Sequence, residues 1–100
     1  PADPGAVERG QTLFAGAAGC ASCHSGALHT DNKSADVGTG DSFQVPALVD
    51  LAVRTGFLHN GCAEGLAARF GPCGGGDRHG HVSQLDARQM ADLIAYLETL

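Results

Sequence analysis

Two cysteines and a histidine stand close together early in the chain, as Cys20-Ala21-Ser22-Cys23-His24. Thiols two residues apart on one turn can each form a thioether to one of two adjacent porphyrin vinyl groups. The histidine that follows is then carried beneath the iron, where its imidazole can bind as the proximal ligand. The motif therefore predicts one haem c, attached covalently through Cys20 and Cys23, with His24 on the iron.

The same residue types could also form a redox dithiol or a zinc site. A thioredoxin-like dithiol follows a β-strand, whereas residues 8–18, before the motif, have a helical pattern. A zinc site needs a second pair of ligands, and Cys62 and Cys73 are eleven positions apart, which matches no common zinc spacing. The sequence therefore favours haem over the other two.

Cys62 and Cys73 both lie in segments rich in glycine. Haem c is attached outside the reducing cytosol, and spare thiols in such a compartment are normally oxidised. We predict a Cys62–Cys73 disulfide, with two free buried thiols as the alternative. Both uses of cysteine indicate a periplasmic or otherwise exported protein.

The composition indicates a small domain with few large apolar side chains to form a hydrophobic core. Hydrophobic residues make up 43% of the 100 residues, but only five residues are aromatic and 15 are glycine. At this size a chain buries little surface, so a haem would supply apolar mass that the side chains lack. We expect residues 1–100 to form a single monohaem domain, mature or excised from a larger oxidoreductase, because the first residues lack an export signal.

The charge and hydropathy patterns limit the class of partner. The net charge is −5, and the chain has no basic runs of the kind that bind nucleic acid. No apolar stretch reaches the roughly 18 residues of a membrane-spanning helix. We therefore expect neither a nucleic-acid partner nor a transmembrane segment.

Helices are predicted at both ends of the chain. Asp3 can cap a first helix that starts with Pro4, and this helix leads towards the cysteine motif. Asp86 and Gln89 have the spacing of a capping box for a last helix. An apolar stripe follows, with Asp92 expected outside it, and consists of Met90, Leu93, Ile94 and Leu97.

The middle of the chain is predicted to be mostly loop. Residues 25–45 form a polar, glycine-containing loop, and residues 71–83 form a second one. Two short helical pieces are expected over residues 45–53 and 64–70. Gly10 suits a close crossing of the first and last helices.

From Gly10 to Leu100 the sequence resembles the C-terminal haem domain of the bacterial dihaem cytochrome c peroxidase and MauG-like family. The resemblance implies an all-α, cytochrome c fold, a small loop-rich helical domain around one covalently bound haem. A peroxidase of that family also needs a second, N-terminal haem domain, which this chain does not contain. The matching residues are Leu13-Phe14, Asp36-Val37-Gly38-Thr39-Gly40, Phe43, Pro46, Leu48, His59-Asn60-Gly61 and Asp92-Leu93-Ile94-Ala95-Tyr96-Leu97.

The resemblance also implies roles for several pocket residues. Pro46 matches the proline whose carbonyl accepts the proximal imidazole proton, which would orient His24. Phe43 and Leu48 would pack on the porphyrin, although both could be ordinary core residues. His59 would line the pocket as a hydrogen-bonding group, or simply occupy a turn.

The sixth ligand of the iron normally comes, in this fold, from the loop before the last helix. Here that loop, residues 76–83, offers His79 and His81. We predict His79 as the distal ligand, with His81 and Met90 as alternatives, although both loop histidines could instead be solvated. Met90 is already accounted for by helix packing. His29 is expected to be exposed.

The leading hypothesis is a periplasmic electron carrier rather than an enzyme, with no catalytic residue assigned. It would pass one electron at a time through an exposed haem edge to a redox partner protein or a fused dehydrogenase domain. Its net negative charge favours a partner with a basic surface. The alternative is a peroxidase-like or gas-binding site with an open iron, where His79, His81 or Glu64 would supply an acid/base group.

Overall fold

A computed structural model of the protein describes residues 3–53, 58, 65–71 and 74–100. None of the helices in these ranges is both long and apolar enough to cross a membrane. The regular elements, in chain order, are α1 (Pro4–Ala15), a 3₁₀ turn (Cys20–Ser22), β1 (Ser34–Asp36), β2 (Ser42–Gln44), a 3₁₀ turn (Leu51–Val53), α2 (Leu66–Arg69), a 3₁₀ turn (Gly76–Arg78) and α3 (Ala87–Leu97).

Both terminal helices start where the sequence predicts. The Asp3 carboxylate accepts the backbone N–H of Gly5 at 3.1 Å, with Pro4 at the first helical position. At α3, Asp86 accepts the Gln89 N–H at 2.8 Å, and the Gln89 side chain accepts the Asp86 N–H at 3.0 Å. This reciprocal pair confirms the predicted capping box.

The two helices cross at Gly10, as the sequence predicts. A Cβ atom at Gly10 would lie only 1.9 Å from the carbonyl oxygen of Asp92 and 2.8 Å from the Cβ of Tyr96. Beside this contact, Phe14 packs edge-on against Tyr96 with ring centroids 5.2 Å apart, and Leu93 is fully buried. The absence of a side chain at Gly10 thus permits the close packing on which the core depends.

Asp92 lies inside the helix crossing, so its predicted placement outside the buried face is wrong. It is 5% exposed and pairs with Arg9 of α1, Nε to Oδ2 at 2.9 Å and Nη2 to Oδ1 at 3.2 Å. The hydrogen bonds from Arg9 hold the pKa of the Asp92 carboxyl below its ordinary value. The physical reason is the short distance between the helices at Gly10, which brings Arg9 within reach of a carboxylate on α3.

The central segments differ from the predicted loop and helices. Within residues 25–45, β1 and β2 form an antiparallel pair in which Ala35 lies opposite Phe43. Both residues are half-buried between exposed neighbours, and three-residue strands are too short for their alternation to stand out in the sequence. The helix predicted over residues 45–53 is reduced to the turn Leu51–Val53, and the one over 64–70 is described only as Leu66–Arg69.

Candidate haem site

A cavity of about 680 Å³ lies between the cysteine motif, the β-hairpin and the loop before α3. Its size falls within the roughly 300–1,000 Å³ of sites that bury a ligand of moderate size. The β-hairpin contributes Ala35 and Phe43, which explains why these two positions are half-buried. The predicted site residues that line the cavity are Cys20, Cys23, His24, Phe43, Pro46, Leu48, His79 and His81.

The cysteine motif forms one wall of this cavity. The chain enters it through Gly19, whose φ of 71° lies in the left-handed region that glycine adopts without strain. A 3₁₀ turn follows, and the His24 N–H donates to the Cys20 carbonyl at 2.9 Å. Cys20 and Cys23 are both half-buried and line the cavity, and burial raises the pKa of the Cys20 thiol. Both thiols and the His24 imidazole therefore face one space, as thioether attachment requires.

His24 is held in a defined orientation by its backbone neighbours. Its Nδ1 hydrogen-bonds to the carbonyl of His29 at 2.9 Å. Burial lowers the pKa of His24, while the His29 and Pro46 backbones act in the opposite direction. The Pro46 backbone thus lies near the ring, and the Nδ1 hydrogen bond of 2.9 Å goes to the His29 carbonyl. With Nδ1 engaged, Nε2 is the nitrogen available to bind a metal.

His29 is half-buried, so the expectation that it is exposed is wrong. Its ring lies edge-on to Phe14, with centroids 6.1 Å apart, and its Nδ1 is buried. The backbone at His29 has a φ of 54°, in the left-handed region. This conformation directs its carbonyl towards His24 and leaves its ring against α1, a combination that no local sequence signal predicts.

His79 lines the same cavity as His24. The two ring centroids are 6.5 Å apart and the ring planes are inclined by 33°. Imidazoles on opposite sides of one transition-metal ion have centroids about 6 Å apart, because each metal–nitrogen bond is about 2 Å and the ring centre lies about 1 Å beyond. The spacing of His24 and His79 therefore fits a single metal ion between them.

The electrostatics of His79 also suit a metal ligand. Burial, then the charge of Arg69, lowers its pKa to about 4, so the ring is neutral at physiological pH. Metal binding requires neutral imidazole. Its Nδ1 is buried and makes no hydrogen bond of standard geometry within the described ranges, although the Gly74 backbone is near enough to raise the pKa slightly.

The other predicted ligands are placed differently. His81 is exposed and lines the rim of the cavity. Its backbone N–H donates to the Ala18 carbonyl at 2.7 Å. Met90 is half-buried on α3 and does not line the cavity. The predicted roles of His59 and Glu64 fall outside the described residues. So does the disulfide between Cys62 and Cys73.

The loop that presents His79 is closed by Asp77. One carboxylate oxygen accepts the N–H groups of Val82 and Ser83, each at 3.0 Å, and the other accepts the Ser83 hydroxyl at 2.5 Å. These bonds also lower the pKa of Asp77. His79 thus lies in a loop whose two ends are joined by the hydrogen bonds of Asp77.

Replacing Asp77 by alanine should therefore loosen the position of His79. All three hydrogen bonds would be lost, so we expect a larger fraction of high-spin iron in the haem-loaded protein and faster binding of added CO. Asp41→Ala is the matched control, because among the described residues the Asp41 carboxylate accepts only the adjacent Ser42 N–H, at 2.8 Å, in an exposed turn. Equal spectra for both variants would contradict a role for Asp77.

Arg69 is a site residue that sequence reasoning missed. Its guanidinium donates to the carbonyl of His79 and lies 4.4 Å from the centroid of the Phe70 ring. Burial lowers the pKa of Arg69 to about 10. The available signal was weak, since it consisted only of a lone arginine next to Phe70 in a short apolar helix.

Comparison with known proteins is consistent with this geometry. The sequence matches the cytochrome c family over residues 7–100. It is 31% identical to the methylamine utilization protein MauG of Methylorubrum extorquens, over 94% of this chain and 34% of the relative. A solved structure of hydrazine synthase from Kuenenia stuttgartiensis superposes with a TM-score of 0.88 at 26% identity, over 95% of this chain and 46% of that one. The chain thus spans less than half the length of either relative.

Proposed function

The chain belongs to the cytochrome c family and has the mostly helical, loop-rich fold predicted for it, and from this premise we propose that it is a monohaem electron-transfer domain. A cytochrome c domain carries haem c covalently and supports electron transfer. The finer assignment is that Cys20 and Cys23 form the thioethers, His24 is the proximal ligand and His79 is the distal ligand.

The observation that carries this proposal is that His24 and His79 line one cavity with ring centroids 6.5 Å apart, a spacing that fits one metal ion between them. With haem bound, His24 and His79 would both hold the iron, which would leave no open position for a substrate. Such a site would suit electron transfer, because the same two residues would hold the iron in both oxidation states. Its reduction potential should lie below that of a His/Met site, because methionine ligation raises the potential.

Haem, when bound, supplies the one-electron couple. The protein's own residues attach it, orient it and exclude water. The His29 carbonyl holds the His24 ring, and Asp77 closes the loop that presents His79. Phe43 and Leu48 contribute apolar surface to the cavity. No residue is assigned a catalytic role.

The proposal also covers the cellular location of the domain and the kind of redox partner it binds. Haem c attachment and the predicted Cys62–Cys73 disulfide both favour a periplasmic or otherwise exported location. The net charge of −5 favours a basic redox partner, with association that weakens as salt is raised. Because the matched relatives are longer, the chain could act as a free carrier or as one domain of a larger oxidoreductase such as a dehydrogenase.

A second candidate function is a peroxidase-like or gas-binding site with an open distal position. The name of the structural neighbour hydrazine synthase is that of an enzyme, and exposed His81 lies at the cavity rim, where it could act as an acid or base. This candidate requires that His79 leave the iron free.

The visible spectrum of the haem-loaded protein separates the two functions. We expect a six-coordinate low-spin spectrum in both oxidation states, no change with CO or peroxide, and no weak band in the 700 nm region (an approximate position) that would indicate methionine ligation. A high-spin spectrum with ready CO binding would instead support the open site and contradict the carrier.

A further inference from the structure

We propose that Arg69 sets the reduction potential of this site by placing a fixed positive charge beside the iron. The proposal rests on the proposed function in requiring a haem between His24 and His79. It concerns a residue that is neither an attachment point nor an axial ligand.

The position of Arg69 differs from that of Arg78, which also lines the cavity. Arg69 is half-buried, lines the cavity and donates a hydrogen bond to the backbone carbonyl of His79. Its guanidinium also lies over the Phe70 ring. Arg78 is 65% exposed and forms an ion pair with Asp36 at 2.6 Å. Within the described ranges Arg69 forms no ion pair with a protein carboxylate.

The charge of Arg69 lies close to both candidate ligands. Its guanidinium donates to the His79 backbone carbonyl, and Arg69 lines the same cavity as His24 and His79. A positive charge at the wall of a cavity disfavours added positive charge on an ion held inside it, because like charges repel. Oxidation of haem iron adds one positive charge to that space, so Arg69 should favour the reduced state and raise the potential.

The charge of Arg69 would offset the low reduction potential expected from two histidine ligands. Two histidine ligands give a low potential compared with a His/Met pair. A half-buried cation within the cavity acts against this, and the protein partly screens it from solvent ions. The combination would give a bis-histidine site with a potential higher than its ligands alone dictate.

The test measures the reduction potentials of the haem-loaded protein and three variants by spectroscopic redox titration. Arg69→Gln should lower the equilibrium constant for reduction at least tenfold, about 59 mV for one electron. Arg69→Lys, which keeps the charge, should show less than half of that shift. Arg78→Gln is the matched control, and its shift should be small and should vanish at high salt.

The potentials and spectra of the Arg69 variants decide whether Arg69 sets the reduction potential. A low-spin Arg69→Gln protein with an unchanged potential would overturn the proposal, and so would an Arg69→Lys protein that shifts as far as the glutamine variant. If Arg69→Gln loses the low-spin spectrum, Arg69→Met, which keeps apolar contact with Phe70, replaces it. Loss of the spectrum in both would assign Arg69 a structural role instead. Failure of the proposed function is visible separately, because the unmodified protein would then lack the low-spin spectrum.

Discussion

Replacing His79 by alanine should convert the haem from a six-coordinate low-spin centre into one with an open position that binds CO. His79 lines the cavity with His24, at a ring-centroid separation of 6.5 Å. Among the described residues, no other imidazole ring is paired with His24 at such a distance. We expect near-complete loss of the low-spin spectrum, measured by visible absorption before and after CO addition, and restoration by added imidazole.

Two further variants make this result specific. His81→Ala and Met90→Leu should both keep the low-spin spectrum, because His81 is exposed at the rim and Met90 does not line the cavity. Loss of the spectrum in His81→Ala with retention in His79→Ala would exchange the two assignments. An unchanged spectrum in all three variants would contradict any ligand from this set.

Replacing Gly10 by alanine should strongly destabilise the protein, although alanine is the better helix former. The added Cβ would lie 1.9 Å from the Asp92 carbonyl oxygen, which belongs to the backbone of α3 and cannot rotate away. The helices would have to separate around Phe14 and Leu93, at a cost of about 3 kcal/mol for overpacking of this kind. For a domain of this size that corresponds to a fall in melting temperature of roughly 12–24 °C.

Gly5 of the same helix provides the control. A Cβ there would meet side-chain atoms and no backbone of α3: Arg9 Nη1 at 3.2 Å and the Asp3 carboxylate oxygens at 3.6 and 3.8 Å. Gly5→Ala should therefore stabilise the protein by about 0.5–1 kcal/mol through lower backbone entropy in the unfolded chain. Thermal and urea unfolding of the two variants measure the difference. Similar stability for both would show that the helices do not cross closely at Gly10.

Features that depend on a few adjacent residues were predictable from the sequence. The helix starts at Asp3 and Asp86 depend on hydrogen bonds between residues two or three positions apart. The cysteine motif likewise fits on one turn, so its chemistry was evident before the turn's structure was known. The predicted crossing at Gly10 extended the same reasoning, since a small residue on a helix face permits close approach.

Other features depended on where distant segments meet. The burial of Asp92 and its pairing with Arg9, 83 positions away in the sequence, require the crossing of two helices. The half-burial of His29 requires a left-handed backbone and the nearby Phe14 ring. Neither can be derived from hydropathy along one segment, since each is decided by a partner elsewhere in the chain.

The candidate site shows the same division. The sequence by itself determined the attachment motif, the helical frame and a short set of possible distal ligands, because these follow from residue type and local spacing. Only the tertiary structure placed His79, and not Met90, in the cavity with His24, and placed Arg69 against the His79 carbonyl. The physical reason is that a metal site and its electrostatic field are set by distances across the cavity, which depend on how separate loops pack together and not on their separation along the chain.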